Sequence, residues 1–156
     1  MHIRVGATNT GKGVYATQDI QKGSIIIEMT GRHMGSEEVE RAIEAGKIRP
    51  DDPFQIKEDE FIKLDRLPYL FNHSCEPNAG FKRGVVMVAL RDIKKGEQIC
   101  YDYSAVVCTH CEWEMHCMCG AKNCRKTVGN IKTVPHKTRL LYKNLHLLPR
   151  FVRIEV

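Results

Sequence analysis

Helical spacing of apolar residues is confined to two places in the chain; elsewhere the apolar positions fall in short runs separated by turn residues. In the first, Val39, Ala42 and Ile43 share one helical face. Ser36 suits the cap of that helix, Glu37 and Glu38 its first turn and Gly46 its end. The second spans Lys137 to His146, with Leu140, Leu141, Leu145 and Leu148 as the predicted apolar stripe and Pro135 and Pro149 as brackets. Val85 to Leu90 is nearly all apolar and β-branched and predicts a buried strand, while Gly6 to Gly13 is rich in turn residues. The pattern predicts a mainly β fold with few short helices.

Two stretches echo each other. Residues 16–27 and 89–100 match at six of twelve aligned positions, and each sets Lys-Gly between a short apolar stretch and a β-branched one. That is turn chemistry between two strands. Two copies are too few and too far apart for a solenoid, so they predict a sheet-rich body instead.

At 156 residues the chain suits one domain, with ordinary apolar and charged fractions. No apolar run approaches membrane-spanning length, and the opening Met-His-Ile-Arg-Val-Gly lacks the apolar stretch of a secretory signal. The expected location is the cytosol, bacterial first, or a nucleus and its chromatin if the owner or its host is eukaryotic. Charge is uneven. From Arg125 onward eight basic residues face Glu155 alone, a net +7, whereas residues 1–124 carry sixteen basic and eighteen acidic residues, a net −2. An acidic body can accept a lysine-rich peptide, and a basic tail can lie near nucleic acid, although for the tail alone a solvated helix face explains the charge.

Seven cysteines cannot all pair internally, and five of them, Cys108, Cys111, Cys117, Cys119 and Cys124, crowd into 17 residues. In a reducing compartment such a cluster reads as metal ligands. Cys117-x-Cys119-x4-Cys124 supplies three thiolates to one zinc, and a tetrahedral site needs a fourth ligand. Cys75, Cys108, Cys111, His110 and His116 are all candidates on spacing, and Cys108-x2-Cys111 is itself a half-site. Three further signals are Phe71-Asn72-His73-Ser74-Cys75-Glu76-Pro77-Asn78, the strand Gly96 to Tyr103 with Tyr101 and Tyr103 on one face, and Gly11-Lys12-Gly13, where backbone can approach a ligand.

In this order and spacing, the four signals resemble the SET-domain protein-lysine methyltransferases with a post-SET zinc segment. The likeness covers about residues 2–130 and includes Gly13-Val14-Tyr15-Ala16 and Cys124-Arg125. Trp113-Glu114-Met115 before the zinc cysteines looks like the small stand-alone SET proteins of bacteria and some viruses. The resemblance implies a SET fold, small β-sheets with knot-like threading, over residues 2–104, a post-SET zinc segment over 105–130 and a basic helical extension over 131–156. It implies S-adenosylmethionine as cofactor, met by the backbone of Lys12, Gly13 and Val14 and held by Asn72 and His73. It implies one structural zinc on Cys75, Cys117, Cys119 and Cys124, with Cys108 and Cys111 as spectators or a weaker second site. Tyr103 is the implied catalytic tyrosine and Tyr101 the residue that tunes product.

The implied reaction moves a methyl group from the sulfonium to the ε-amine of a protein lysine, on a histone or another basic protein. Because a free lysine amine has a pKa of about 10.4, a narrow apolar channel must favour its neutral form. Three positions depart from the family pattern. Glu28-Met29-Thr30-Gly31-Arg32 stands where relatives have Glu-Tyr-x-Gly-Glu, Phe54 where they have another tyrosine, and Tyr69 where arginine often stands. Two rival readings are a non-catalytic SET-like module binding proteins or nucleic acid, and a zinc-ribbon nucleic-acid protein. The second leaves the first hundred residues unexplained. Target lysine, substrate protein, degree of methylation and oligomeric state are not written in the sequence.

Overall fold

The computed structural model describes residues 2–9 and 11–152. Its strands are β1 (Ile3–Thr8), β2 (Gly11–Ala16), β3 (Ile25–Glu28), β4 (Gly31–Gly35), β5 (Pro53–Lys57), β6 (Glu60–Leu64), β7 (Asn72–His73), β8 (Ala79–Lys82), β9 (Val86–Ala89), β10 (Gln98–Tyr101), β11 (Met115–His116) and β12 (Thr127–Val128). They form four small sheets, ordered β1-β2-β10-β7, β3-β9-β8, β4-β6-β5 and β11-β12. The predicted apolar strand is β9, whose last three residues are buried. With β2, β8 and β10 it builds the main core around Val14, Phe71, Met87 and Ile99. No helix of the described residues is long and apolar enough to cross a membrane.

The internal echo folds into two copies docked face to face. Ile20 and Ile93, equivalent positions, exchange both backbone hydrogen bonds, at 2.8 and 2.9 Å. The Gly96 N–H donates to the Ala16 carbonyl, and the Gly23 N–H to that of Ala89, its counterpart. The Asp19 carboxylate accepts from the Lys95 N–H, as Asp92 does from Lys22. The repeated Asp-Ile-x-Lys-Gly phrase thus specifies an approximately two-fold clasp between the sheets.

Helix α1 (Ser36–Glu44) packs Val39 against Met34 and Ile48. Its N-cap is Gly35, not Ser36, and Ser36 Oγ points to the Asp59 carboxylate at 3.4 Å. Strand β4 runs directly into the helix, so the extended residue before it is forced one position earlier than the side-chain preference suggests. At the other end the N–H groups of Gly46 and Lys47 close on the carbonyls of Ile43 and Ala42.

Helix α2 (His136–Asn144) is shorter than predicted, and its leucine stripe is not its buried face. Leu141 and Leu145 are exposed, whereas Tyr142 is 3% exposed and packs with Ile131, Val134, Leu147 and Val152. The reason is polar. The Tyr142 hydroxyl donates to Asp102 Oδ2 at 3.0 Å, which rotates the helix to face the body through Tyr142. Residues 153–156, with Arg153 and the end of the predicted extension, lie outside the described residues.

Asp102 is 2% exposed and collects partners from every neighbouring segment. Arg125 grips it with two nitrogens, at 2.8 and 2.7 Å. The Ser104 N–H donates to Oδ1 at 3.0 Å, and Ser104 Oγ donates to the Gly129 carbonyl at 2.6 Å. Burial disfavours the charged guanidinium, yet the carboxylate outweighs it and holds the pKa of Arg125 above its ordinary value. Asp102→Asn leaves a buried guanidinium without its counter-charge and is expected to lower stability by about 3–5 kcal/mol, read as a fall in the urea midpoint. Gly31→Ala tests the β4–β6 contact, because a Cβ there would stand 2.1 Å from the Lys63 carbonyl oxygen. Its expected cost is about 1–3 kcal/mol on the same measurement.

Candidate active site and metal centre

Strand β10 changes partners halfway along. Gln98 and Ile99 pair antiparallel with Tyr15 and Val14, and then Cys100 and Tyr101 pair parallel with Asn72 and His73. The switch leaves the Lys12–Gly13 edge of β2 uncovered by β10 and brings Asn72 against it. Asn72 Nδ2 donates to the Lys12 carbonyl at 2.9 Å. A Cβ on Gly13 would stand 2.4 Å from Gln98 Nε2 and 3.0 Å from Asn72 Nδ2. The lack of a side chain therefore lets the Gln98 and Asn72 amides and the Thr8 methyl close on the Gly13 backbone, and Lys12, Gly13 and Asn72 form a tightly packed cradle. The structure thus brings Lys12, Gly13 and Asn72 together, while the Val14 side chain goes to the core.

His73 holds the centre of the site rather than its edge. Its Nδ1 accepts the Tyr103 N–H at 3.2 Å, and its Nε2 lies 3.2 Å from Cys75 Sγ. Burial, only partly opposed by Asp102 3.6 Å away, pushes its pKa down to about 4. The ring is neutral at physiological pH. With Nδ1 accepting, the single proton sits on Nε2 and is donated to the Cys75 sulfur.

Tyr103 lines a cavity of about 580 Å³ together with Phe54, Phe71, Tyr101 and Trp113. Its hydroxyl donates to the Phe71 carbonyl at 2.9 Å, which leaves oxygen lone pairs free to accept. Burial, reinforced by nearby negative groups, raises its pKa, and burial also raises that of Tyr101, so both are phenols at neutral pH. Phe54 is 4% exposed and meets Phe81 edge-on at 5.1 Å, so the missing hydroxyl is replaced by packing. Asp51, Asp52, Glu112 and Glu114 also line this cavity.

Beside it, His73, Cys75, Cys117 and Cys119 put four ligand atoms within 4.8 Å of one another. The Cys75 and Cys117 sulfurs are 3.8 Å apart. A tetrahedral zinc bonded at about 2.3 Å would space two sulfurs by about that distance, so this pair of thiols fits a zinc site. Burial would raise the pKa of Cys119, but the N–H groups of Cys75 and Ala121 and its thiol neighbours lower it to about 7. Cys124 lies outside this tight group; its thiol points to the Cys117 carbonyl at 3.6 Å and interacts with Cys117 and Cys119. Cys108 and Cys111 are joined to each other in a disulfide, not held as free thiols or as a second half-site.

Several residues important here escaped the sequence reading. Asp102 and Tyr142 were hidden because nothing local marks their partners. Asn78 was visible only as part of Pro-Asn, yet it bridges the Gln98 carbonyl and the Cys100 N–H at 2.8 and 2.9 Å. It thereby carries the ladder across the point where β10 changes partners.

Comparison with known proteins agrees with this geometry. The family model described as "SET domain" matches residues 11–104. The chain is 32% identical over 132 residues to the variant-silencing SET domain-containing protein of Plasmodium falciparum, covering 74% of this chain and 5% of that protein. It is 35% identical over 138 residues to the probable histone-lysine N-methyltransferase set-23 of Caenorhabditis elegans, covering 74% of this chain and 54% of that protein. So the chain spans from a twentieth to about half of these relatives' lengths. Among solved structures, ctPRC2 in an autoinhibited conformation bound to S-adenosylmethionine shares the fold, with a TM-score of 0.59 and 22% identity over 67% of this chain and 15% of that one. Since the family match runs through the ladder switch and both tyrosines, from residue 11 to residue 104, the chain belongs to the SET-domain family.

Proposed function

We propose that this chain transfers methyl groups from S-adenosylmethionine to the ε-amine of lysine in a protein substrate, with histones as the first candidate. The observation that carries this reading is the partner switch of β10, which gathers the Lys12–Gly13–Asn72 cradle and the Tyr103 phenol, from three distant parts of the chain, around one short strand. Lys12, Gly13 and Asn72 would hold the cofactor, which supplies an activated methyl on a sulfonium. His73, next to Asn72, fixes the backbone of Tyr103 by accepting its N–H.

The aromatic cavity takes the lysine. Phe54, Phe71, Tyr101 and Trp113 form a wall of low polarity, which favours the neutral amine over the ammonium. Acidic residues on the same cavity favour a basic peptide around it. With its own proton committed to the Phe71 carbonyl, Tyr103 accepts from the amine N–H and aims the nitrogen lone pair. Its raised pKa keeps it a phenol at neutral pH, with no phenolate to serve as base, so its part is alignment; the lysine ammonium gives its proton to solvent water before the methyl is transferred. Tyr101, packed against Tyr103 at 4.8 Å between ring centres, borders the space that a methylated amine needs.

For the zinc we favour Cys75, Cys117, Cys119 and Cys124 over a set containing His73. An imidazole whose Nδ1 accepts a hydrogen bond carries its proton on Nε2, and a protonated nitrogen cannot ligate. This zinc would pin the post-SET segment, residues 105–130, onto the Asn-His-Ser-Cys turn of the SET body, residues 2–104. The eukaryotic origin of the relatives above favours action on chromatin over the bacterial cytoplasm expected first.

Tyr103→Phe is expected to reduce turnover on a lysine peptide on the order of 100-fold while cofactor affinity stays within a few-fold. Turnover assays beside calorimetry decide this, and a large loss of cofactor affinity contradicts the assigned role. Elemental analysis is expected to find one zinc per chain, lost in Cys75→Ser and in Cys124→Ser. A zinc retained by Cys124→Ser and lost in His73→Ala would transfer the fourth position to histidine.

A further inference from the structure

Next to the aromatic cavity the surface turns basic. Two adjoining cavities of about 530 and 410 Å³ share Lys47, Ile48 and Lys63 in their walls. Together they are lined by six cations, Arg32, Arg41, Lys47, Arg49, Lys63 and Arg66, and by two carboxylates, Glu38 and Asp52. The second of them also shares Asp52, Leu64 and Tyr69 with the aromatic cavity, so the basic trough opens beside the place assigned to the lysine.

The fold builds this concentration of charge at a cost. Arg32 on β4 and Lys63 on β6 stand directly opposite each other in register. Like charges at such positions repel. Local acids answer only half of the cations. Arg32 pairs with Glu38, Arg41 with Glu37 at 3.4 Å, and Arg49 with Asp51 and Asp52 at 3.6 and 3.2 Å. Among the described residues Lys47, Lys63 and Arg66 have no ion pair, and all three are exposed. An external polyanion would supply the missing counter-charges.

From this we infer that the trough binds the phosphate backbone of duplex DNA, so that the substrate is a lysine-bearing protein held on DNA rather than a free protein. The second half of that statement rests on the methyltransferase reading; the first does not. The cations spread along two cavities, which suits successive phosphates and exceeds what one phosphorylated side chain would engage. Single strands bind through bases stacked on aromatic rings. The first cavity has no aromatic in its wall, and in the second the Tyr69 hydroxyl is tied to Asp52 at 2.9 Å and to Arg49. Among the described residues Tyr69 is thus the one ring in the walls of the two cavities, too few for a succession of stacked bases, and the site works chiefly through charge and is blind to base sequence. It is also separate from the basic tail, which the sequence alone offers as the nucleic-acid contact.

The test uses the full chain and a short fluorescent DNA duplex without cofactor, across a salt series. Lys47→Ala/Lys63→Ala/Arg66→Ala removes the three unpaired cations from exposed positions. The expected result is binding at least about tenfold weaker, with the slope of log affinity against log salt smaller by about 3. A tail variant, Lys137→Ala/Lys143→Ala, is expected to bind as the native chain does. Loss in the tail variant alone, no measurable duplex binding by the native chain, or tighter binding of a phosphoserine peptide or a single strand would each overturn the inference. In the methylation arm the triple variant is expected to keep native turnover on a free lysine peptide and to slow at least about fivefold on DNA-wrapped histones. Equal slowing on both would assign these residues to the peptide channel instead. Absence of methylation by the native chain would defeat the activity reading and leave the duplex result standing.

Discussion

A single buried carboxylate holds the candidate active site together. Asp102 sits between the two tyrosines that line the aromatic cavity, and its oxygens reach Arg125 of the cysteine-rich segment, Ser104 of the turn that follows and Tyr142 of the last helix. Taking an aspartate and an arginine out of water is costly, and such a pair holds only where further hydrogen bonds satisfy the remaining lone pairs. Here the lone pairs of the carboxylate are satisfied by groups from parts of the chain far apart in sequence, while Arg125 Nε is buried without a hydrogen-bond partner among the described residues. The arrangement therefore acts less as a source of net stability than as a registration device, because a displaced segment would leave a charge unpaired. The Arg125 backbone N–H also reaches Cys75 Sγ at 3.4 Å, so the same residue touches both the carboxylate and the candidate metal centre.

The parallel contact of β7 with β10 gives this clamp its functional meaning. Only two residue pairs form it, yet they set Asn72 beside Cys100 and His73 beside Tyr101. From that register His73 accepts the Tyr103 N–H and donates to Cys75. One neutral imidazole thus couples the tyrosine that lines the aromatic cavity to a sulfur of the candidate metal centre. Burial keeps the ring neutral, and neutrality fixes its tautomer. The cradle, the aromatic channel and the cysteine cluster are in this sense one assembly.

Departures from the family pattern are absorbed by packing. Phe54 meets Phe81, which in turn meets Tyr101 at 4.9 Å, so the channel keeps its aromatic wall with one hydroxyl fewer. Tyr69, where relatives often carry arginine, donates to Asp52 and accepts from Arg49 on the border between the aromatic cavity and the basic trough. These are changes in the walls of the aromatic cavity, whereas the cradle keeps its glycine and its asparagine.

Much of this was legible in the chain itself. The run Val85 to Leu90, the Val39–Ala42–Ile43 face and the repeated Asp-Ile-x-Lys-Gly phrase are local signals, and local signals are set by periodicity and turn chemistry that need no partner. The ordered motifs Gly-Lys-Gly, Asn-His-Ser-Cys, Tyr-Asp-Tyr and Cys-x-Cys-x4-Cys were likewise enough to identify the family. Tertiary structure decided the rest, and in each case a long-range partner overrode a local preference. Helix α2 turned its tyrosine inward, not its leucines, because a buried carboxylate offered a hydrogen bond that leucine cannot make. Gly35 took the cap from Ser36 because β4 runs straight into the helix, and Cys108 closed on Cys111 rather than joining the cysteines after it. The spacing of the cysteines named three ligands and left the fourth open among five candidates. What the sequence could not carry was which distant groups share one buried charge, because burial and pairing exist only once the whole chain has closed around them.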